Sequence, residues 1–127
     1  MIRFLLICLG GAIGTGARYL TALWAPTILG TAFPYGTLIV NTVGSFLIAF
    51  IMQAAGSTEL LTPNLRAMLT TGVMGGFTTY STFNYETSEY LHEGAWLIAT
   101  ANIFLTVAIC LTAGFAGLAV ARSMFGR

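Results

Sequence analysis

The chain has no lysine, no aspartate and a single histidine, His92, among its 127 residues. All five basic side chains are arginines and all four acidic ones glutamates, so charged residues make up only 7% and the formal net charge is +1. No basic cluster is present to hold nucleic acid or capture anionic lipid, and a nucleic-acid partner is excluded. So few charges also exclude a soluble domain, which must cover itself with polar surface. The two cysteines, Cys8 and Cys110, are too few for a disulfide framework and stand at no metal-ligand spacing. Both fall in apolar segments and read as small buried hydrophobes. No serine, cysteine or histidine is paired with a general base at a recognisable spacing, and no His/Glu cluster could hold a metal. An enzyme is not expected, nor is an organic cofactor.

What fills the chain instead is apolar: 57% of its residues are hydrophobic. A bilayer core about 30 Å thick needs about 20 helical residues per crossing, so this length holds roughly four crossings and little else. The expectation is one all-α integral membrane domain over residues 1–127, with helices at about 2–24, 35–55, 64–91 and 95–121. The first apolar run begins like a signal peptide, yet it continues past Arg18 with no polar mature domain behind it and reads as a retained helix. Ala25-Pro26 is expected to close it, leaving 27–33 as an interfacial tail. The loop from Gly56 to Pro63 carries ordinary cap residues, and His92 reads as a solvated loop residue.

The third segment departs from the pattern. Gly72-Val-Met-Gly-Gly-Phe-Thr-Thr-Tyr-Ser-Thr-Phe-Asn-Tyr-Glu86 places a glycine cluster, a hydroxyl run and spaced aromatics inside an otherwise apolar stretch. This predicts a helix broken near residues 75–79. Backbone that leaves the helix at bilayer depth must find partners in protein or in a water-filled path, so a break there marks a site for an ion or small polar solute. Small residues at close-packing spacing, Gly10 with Gly14, Gly72 with Gly76, and Ala113 with Gly117 and Ala121, are assigned to helix packing.

Proton-coupled transport needs a carboxylate at bilayer depth, and only Glu86 could serve. A small proton-coupled multidrug-type exporter would want that carboxylate in the first helix, where this chain has Arg18. Arg18 either snorkels to the headgroups or faces a water-filled vestibule that attracts anions. The remaining polar groups are neutral: Asn41, the hydroxyls of Thr78, Thr79, Ser81 and Thr82, and Asn102, Thr106 and Cys110 on one face of the fourth helix. Each alone could be a helix–helix hydrogen bond. Together with opened backbone they read as a route on which a small anion sheds water against amides, hydroxyls and ring edges. Tyr80 and Phe83 lie on one side of the helix that resumes after the break. A non-transporting helical subunit is the third alternative.

Three stretches resemble the Fluc (CrcB) fluoride channels: Gly10-Gly-Ala-Ile-Gly-Thr-Gly-Ala-Arg-Tyr19, Gly36-Thr-Leu-Ile-Val-Asn-Thr-Val-Gly-Ser-Phe46, and 72–86. The resemblance implies a multi-pass protein of the bacterial inner membrane, an antiparallel, dual-topology homodimer of four-helix subunits. It would let fluoride leave the cytoplasm passively through two pores. On this resemblance Asn41, Tyr80, Ser81, Thr82, Phe83 and Thr106 line the fluoride pore, with Arg18 and Glu86 at the vestibule. A structural sodium ion would sit centrally on backbone carbonyls of Gly75 and Thr78. Tyr80 departs from the phenylalanine usual at its position. If both termini share one side, Arg3, Arg66, Arg122 and Arg127 lie there and only Arg18 leans to the other, a bias towards one orientation.

Overall fold

The computed structural model describes residues 1–58 and 61–126, so Glu59, Leu60 and Arg127 lie outside it, and with them the middle of the expected 56–63 loop. The described residues form helices and short connections, with no strand. In order they are α1 (Ile2–Leu29), α2 (Tyr35–Ser57), α3 (Pro63–Ala67), a π-helical segment (Met68–Met74), α4 (Gly75–Phe77), α5 (Tyr80–His92) and α6 (Trp96–Phe125). Three of these, α1, α2 and α6, are long and apolar enough to cross a membrane.

Large apolar side chains point outward and small ones inward. Phe4, Leu9, Ile13, Leu97, Phe104 and Phe115 are exposed, while the fully buried apolar positions include Ala25, Ala99 and Ala121. That is the arrangement for a chain whose solvent is lipid: tails compete equally well for leucine, so helices associate through close backbone approach instead. The two GxxxG pairs meet each other. A Cβ on Gly10 would stand 2.6 Å from the Met68 carbonyl oxygen, one on Gly72 2.7 Å from that of Ile7, and one on Gly76 2.5 Å from that of Gly11. Gly14 lies closest of all, against the Val73 carbonyl. Gly117 likewise admits the Phe46 carbonyl and brings α6 onto α2.

Several boundaries differ from expectation. The helix does not stop at Pro26; α1 runs through it to Leu29 and ends at Gly30, whose φ of 83° suits glycine and whose N–H donates to the Pro26 carbonyl at 3.0 Å. Proline loses one helical donor but its fixed φ fits a helix, and the Thr27 hydroxyl donates to the Trp24 carbonyl at 2.6 Å in the same turn. At its far end α6 extends to Phe125, whose ring packs edge-on against Phe50 at 6.0 Å. Cys8 is exposed, contrary to the buried reading, because it lies on the outward side of α1 near Phe4, Leu5 and Leu9. His92 is the exposed last residue of α5. The π-helical turns before the break were not anticipated.

The ends of the bundle differ in charge. Arg3 Nε donates to Asn64 Oδ1 at 3.0 Å, which joins the starts of α1 and α3. Arg66 on α3 and Arg122 in the last turn of α6 belong to that end, whereas Arg18 lies beside Gly36 and Thr37 at the start of α2.

Candidate functional site

Thr78 (φ −81°, ψ 159°) and Thr79 (φ −152°, ψ 114°) are the two extended residues between α4 and α5. Asn41, in the second turn of α2, meets the second of them. Its Nδ2 donates to the Thr79 carbonyl at 3.0 Å, and its Oδ1 accepts from the Thr79 N–H at 2.8 Å. One carboxamide thus satisfies both polar groups of a residue that has left the helix, groups that would cost several kcal/mol unpaired in hydrocarbon. This pairing also fixes which atom of the amide is which.

The Thr79 hydroxyl starts the next helix. It accepts from the Thr82 N–H at 3.2 Å, donates to the Thr82 hydroxyl at 2.9 Å and lies 3.3 Å from that of Ser81. Thr78 closes the previous one, its N–H and its hydroxyl both donating to the Met74 carbonyl at 2.9 Å. These bonds divert two backbone donors from their helical acceptors. In an unbroken helix the Thr79 N–H would go to Gly75 and the Thr82 N–H to Thr78. Here Asn41 takes the first and the Thr79 side chain the second.

Two hollows flank the break, and Thr79 lines both. The larger, about 740 Å³, is an open groove bordered by Asn41, Gly75, Thr78, Tyr80, Phe83 and Thr106, with apolar side chains of α2 and α6 completing it. The Tyr80 and Phe83 rings are 5.8 Å apart and inclined by 45°; Tyr80 is 77% exposed and Phe83 half-buried. The smaller, about 280 Å³, is bordered by Thr15, Arg18, Tyr19, Thr37 and Thr82. Arg18 is half-buried there.

The residues singled out in the sequence are thereby divided. Asn41, Gly75, Thr78, Tyr80, Phe83 and Thr106 share the groove, while Arg18 and Thr82 share the smaller cavity. Ser81 is exposed and borders neither, reaching them only through Thr79. Glu86 borders neither as well; its Oε1 accepts from the Thr37 hydroxyl at 2.8 Å, and its Oε2 is buried without a partner among the described residues.

Other polar groups extend the network. Buried Thr106 donates to Asn102 Oδ1 at 3.3 Å, Asn102 Nδ2 to the Thr87 hydroxyl at 2.9 Å, and Thr87 to the Phe83 carbonyl at 2.7 Å. Asn102 is 1% exposed, so of the expected polar face on α6 only Thr106 and Cys110 border the groove. Thr37 and Thr87 were not among the residues chosen from sequence. Thr37 stands four residues before Asn41 and thus on its helix face, which is a usable signal; Thr87 offered none. What results is opened backbone bordered by ring edges, apolar walls and neutral polar groups, with the hydroxyl protons of Thr78, Thr79 and Thr106 donated within the protein.

Residues 5–118 match the family described as CrcB-like protein, Camphor Resistance (CrcB). The chain is 52% identical over 126 residues to the "Fluoride-specific ion channel FluC" of Anaeromyxobacter sp. (strain K), covering 99% of this chain and 100% of the relative. Similar proteins of the same name are 52% identical in Sorangium cellulosum (strain So ce56), covering 98% of each chain, and 47% identical in Geobacter sulfurreducens (strain ATCC 51573 / DSM 12127 / PCA), covering 98% and 100%. With the match spanning nearly every residue, break and hollows included, the chain belongs to the CrcB family.

Proposed function

We propose that this chain is a subunit of a passive fluoride channel of the bacterial inner membrane. The carrying observation is the two-sided bond between Asn41 and Thr79, which holds a helix open with a neutral side chain between two hollows. A pathway of neutral donors suits a small anion that must bind and leave quickly. The names of the relatives, fluoride-specific ion channels, support the same reading. Asn41, Tyr80, Phe83 and Thr106 form the pore wall, with Ser81 and Thr82 beside them, and Arg18 and Glu86 stand at its vestibule. Export follows because hydrogen fluoride, a weak acid, enters by diffusion and its anion is trapped in the cytoplasm. The span 63–92, broken as it is, serves as a fourth crossing beside α1, α2 and α6. A second, antiparallel copy completes the open groove, giving two pores per homodimer.

Liposomes carrying the purified protein test this. Fluoride efflux is expected without an imposed proton gradient, with chloride retained. Efflux that requires the gradient would indicate an exporter instead, and silence towards every ion a non-transporting subunit.

A sodium ion between the subunits belongs to the same proposal. The Thr79 and Thr82 N–H groups, which an unbroken helix would send to the Gly75 and Thr78 carbonyls, go instead to the Asn41 and Thr79 side chains, and both Gly75 and Thr78 border the groove. Carbonyl oxygens suit a hard cation, which would supply charge to hold them together at a twofold axis. Buried between the subunits and off the pores, the ion acts as a structural staple that is neither transported nor readily exchanged. Anomalous scattering or ion replacement in a crystal is expected to place cation density between paired Gly75 and Thr78 carbonyls; a water, or no density, there removes sodium from the proposal.

A further inference from the structure

Gly44 lies inside α2, where glycine is among the poorest helix formers, and it is buried at the border of the groove. A Cβ built on it would run into the methyl carbon of Thr78, with Thr78 Cβ at 3.6 Å and Phe77 Cδ1 at 3.7 Å behind. The glycines that admit another helix elsewhere in the bundle face backbone: Gly10, Gly14, Gly72, Gly76 and Gly117 each meet a carbonyl oxygen. At Gly44 the neighbour is a side chain, and that side chain belongs to the break.

Thr78 has no room to yield. Its hydroxyl donates to the Met74 carbonyl at 2.9 Å, and hydroxyl and methyl share one Cβ and turn together. Rotating the side chain to the next staggered position brings the hydroxyl towards Gly44 in place of the methyl; rotating it the other way drives the methyl onto the Met74 carbonyl. Both moves break the hydroxyl bond. With that bond made, the methyl needs a recess on α2, and Gly44 is the recess. Asn41 stands three residues earlier on the same side of α2 and holds Thr79 by both its backbone groups. The two residues of the break thus meet neighbouring positions of one helix face, a missing side chain for Thr78 and a carboxamide for Thr79. We infer that Gly44 is a positioning residue: by lacking a side chain it seats the Thr78 methyl, and so sets how Thr78 and Thr79 are presented to Asn41 and the groove.

This role deepens the fluoride reading, on which only the efflux measurement rests. Hydrogen exchange of the Thr79 N–H, which is bonded to Asn41, needs no ion. Gly44→Ala is expected to speed that exchange, and to slow fluoride efflux from liposomes, by about tenfold or more. Gly56→Ala, also on α2, adds a methyl that meets nothing within 4 Å and is expected to alter neither. Combining Gly44→Ala with Thr78→Ser moves one methyl from the break to α2 and keeps the hydroxyl. Relative to Thr78→Ser alone, the double variant should match Thr79 exchange and efflux within about twofold. Unchanged Thr79 exchange in Gly44→Ala overturns the inference, and so does an equal acceleration in the Thr78→Ser background. Where exchange and efflux disagree, exchange decides. If Gly44→Ala does not fold, a double variant that folds with slow Thr79 exchange supports the inference, and one that also fails to fold overturns it. Absence of fluoride efflux from the unaltered chain would count against the channel reading alone.

Discussion

Asn41→Asp is expected to abolish fluoride efflux from liposomes. The substitution keeps an acceptor for the Thr79 N–H but replaces the donor, 3.0 Å from the Thr79 carbonyl, with a carboxylate oxygen. Two oxygens bearing negative charge then face each other where a hydrogen bond stood, at a cost of about 3 kcal/mol or more for a charged group left mispaired. The same charge stands on the route proposed for an anion. The backbone opening and the electrostatics of the path therefore fail together. Efflux from the aspartate variant at the unaltered rate would show that Asn41 merely glues α2 to the broken helix.

A comparably large effect is expected on assembly from Gly14→Ala, set beside Gly16→Ala as its control. A methyl on Gly14 would run into the Val73 carbonyl and stand 2.9 Å from the Phe77 N–H nitrogen, and neither backbone atom can swing aside. Overpacking usually costs about 1–3 kcal/mol when side chains can yield, and backbone on backbone belongs at or above the top of that range. At Gly16 an added methyl meets nothing within 4 Å. There alanine should be neutral or stabilising by up to about 1 kcal/mol through helix propensity. Thermal unfolding in detergent separates the two, and equal melting of both variants would refute the interlock between α1 and the π segment.

Helix content and the place of the break were legible because both leave local marks. Long apolar runs have one solution in a bilayer, and glycines followed by seven hydroxyl or aromatic residues, 77–83, cannot be mistaken for the runs around them. The ends of helices were less legible. Pro26 reads as a terminator by itself, but the Thr27 hydroxyl and Gly30 let α1 continue. Cys8 looked buried because composition does not say which side of a uniformly apolar rod faces lipid. The bond that organises the site joins Asn41 to a residue 38 positions away, so sequence could name Asn41 as a polar residue but not say what it holds. The π turn was invisible too, because no residue type in 68–74 marks it.

Asn41, Gly10, Gly14, Gly72 and Gly76 together give the opened peptide a mechanical character. A hinge is a place where few contacts resist rotation. Thr79 is instead gripped by a short, stiff amide from α2, while the turns before it are keyed into α1 by main-chain contacts that leave no slack. The opening resembles a keystone, whose removal lets neighbours fall but which does not itself move. The pore proposed around such a point would have its shape in the resting state, with no stroke of the protein to create it.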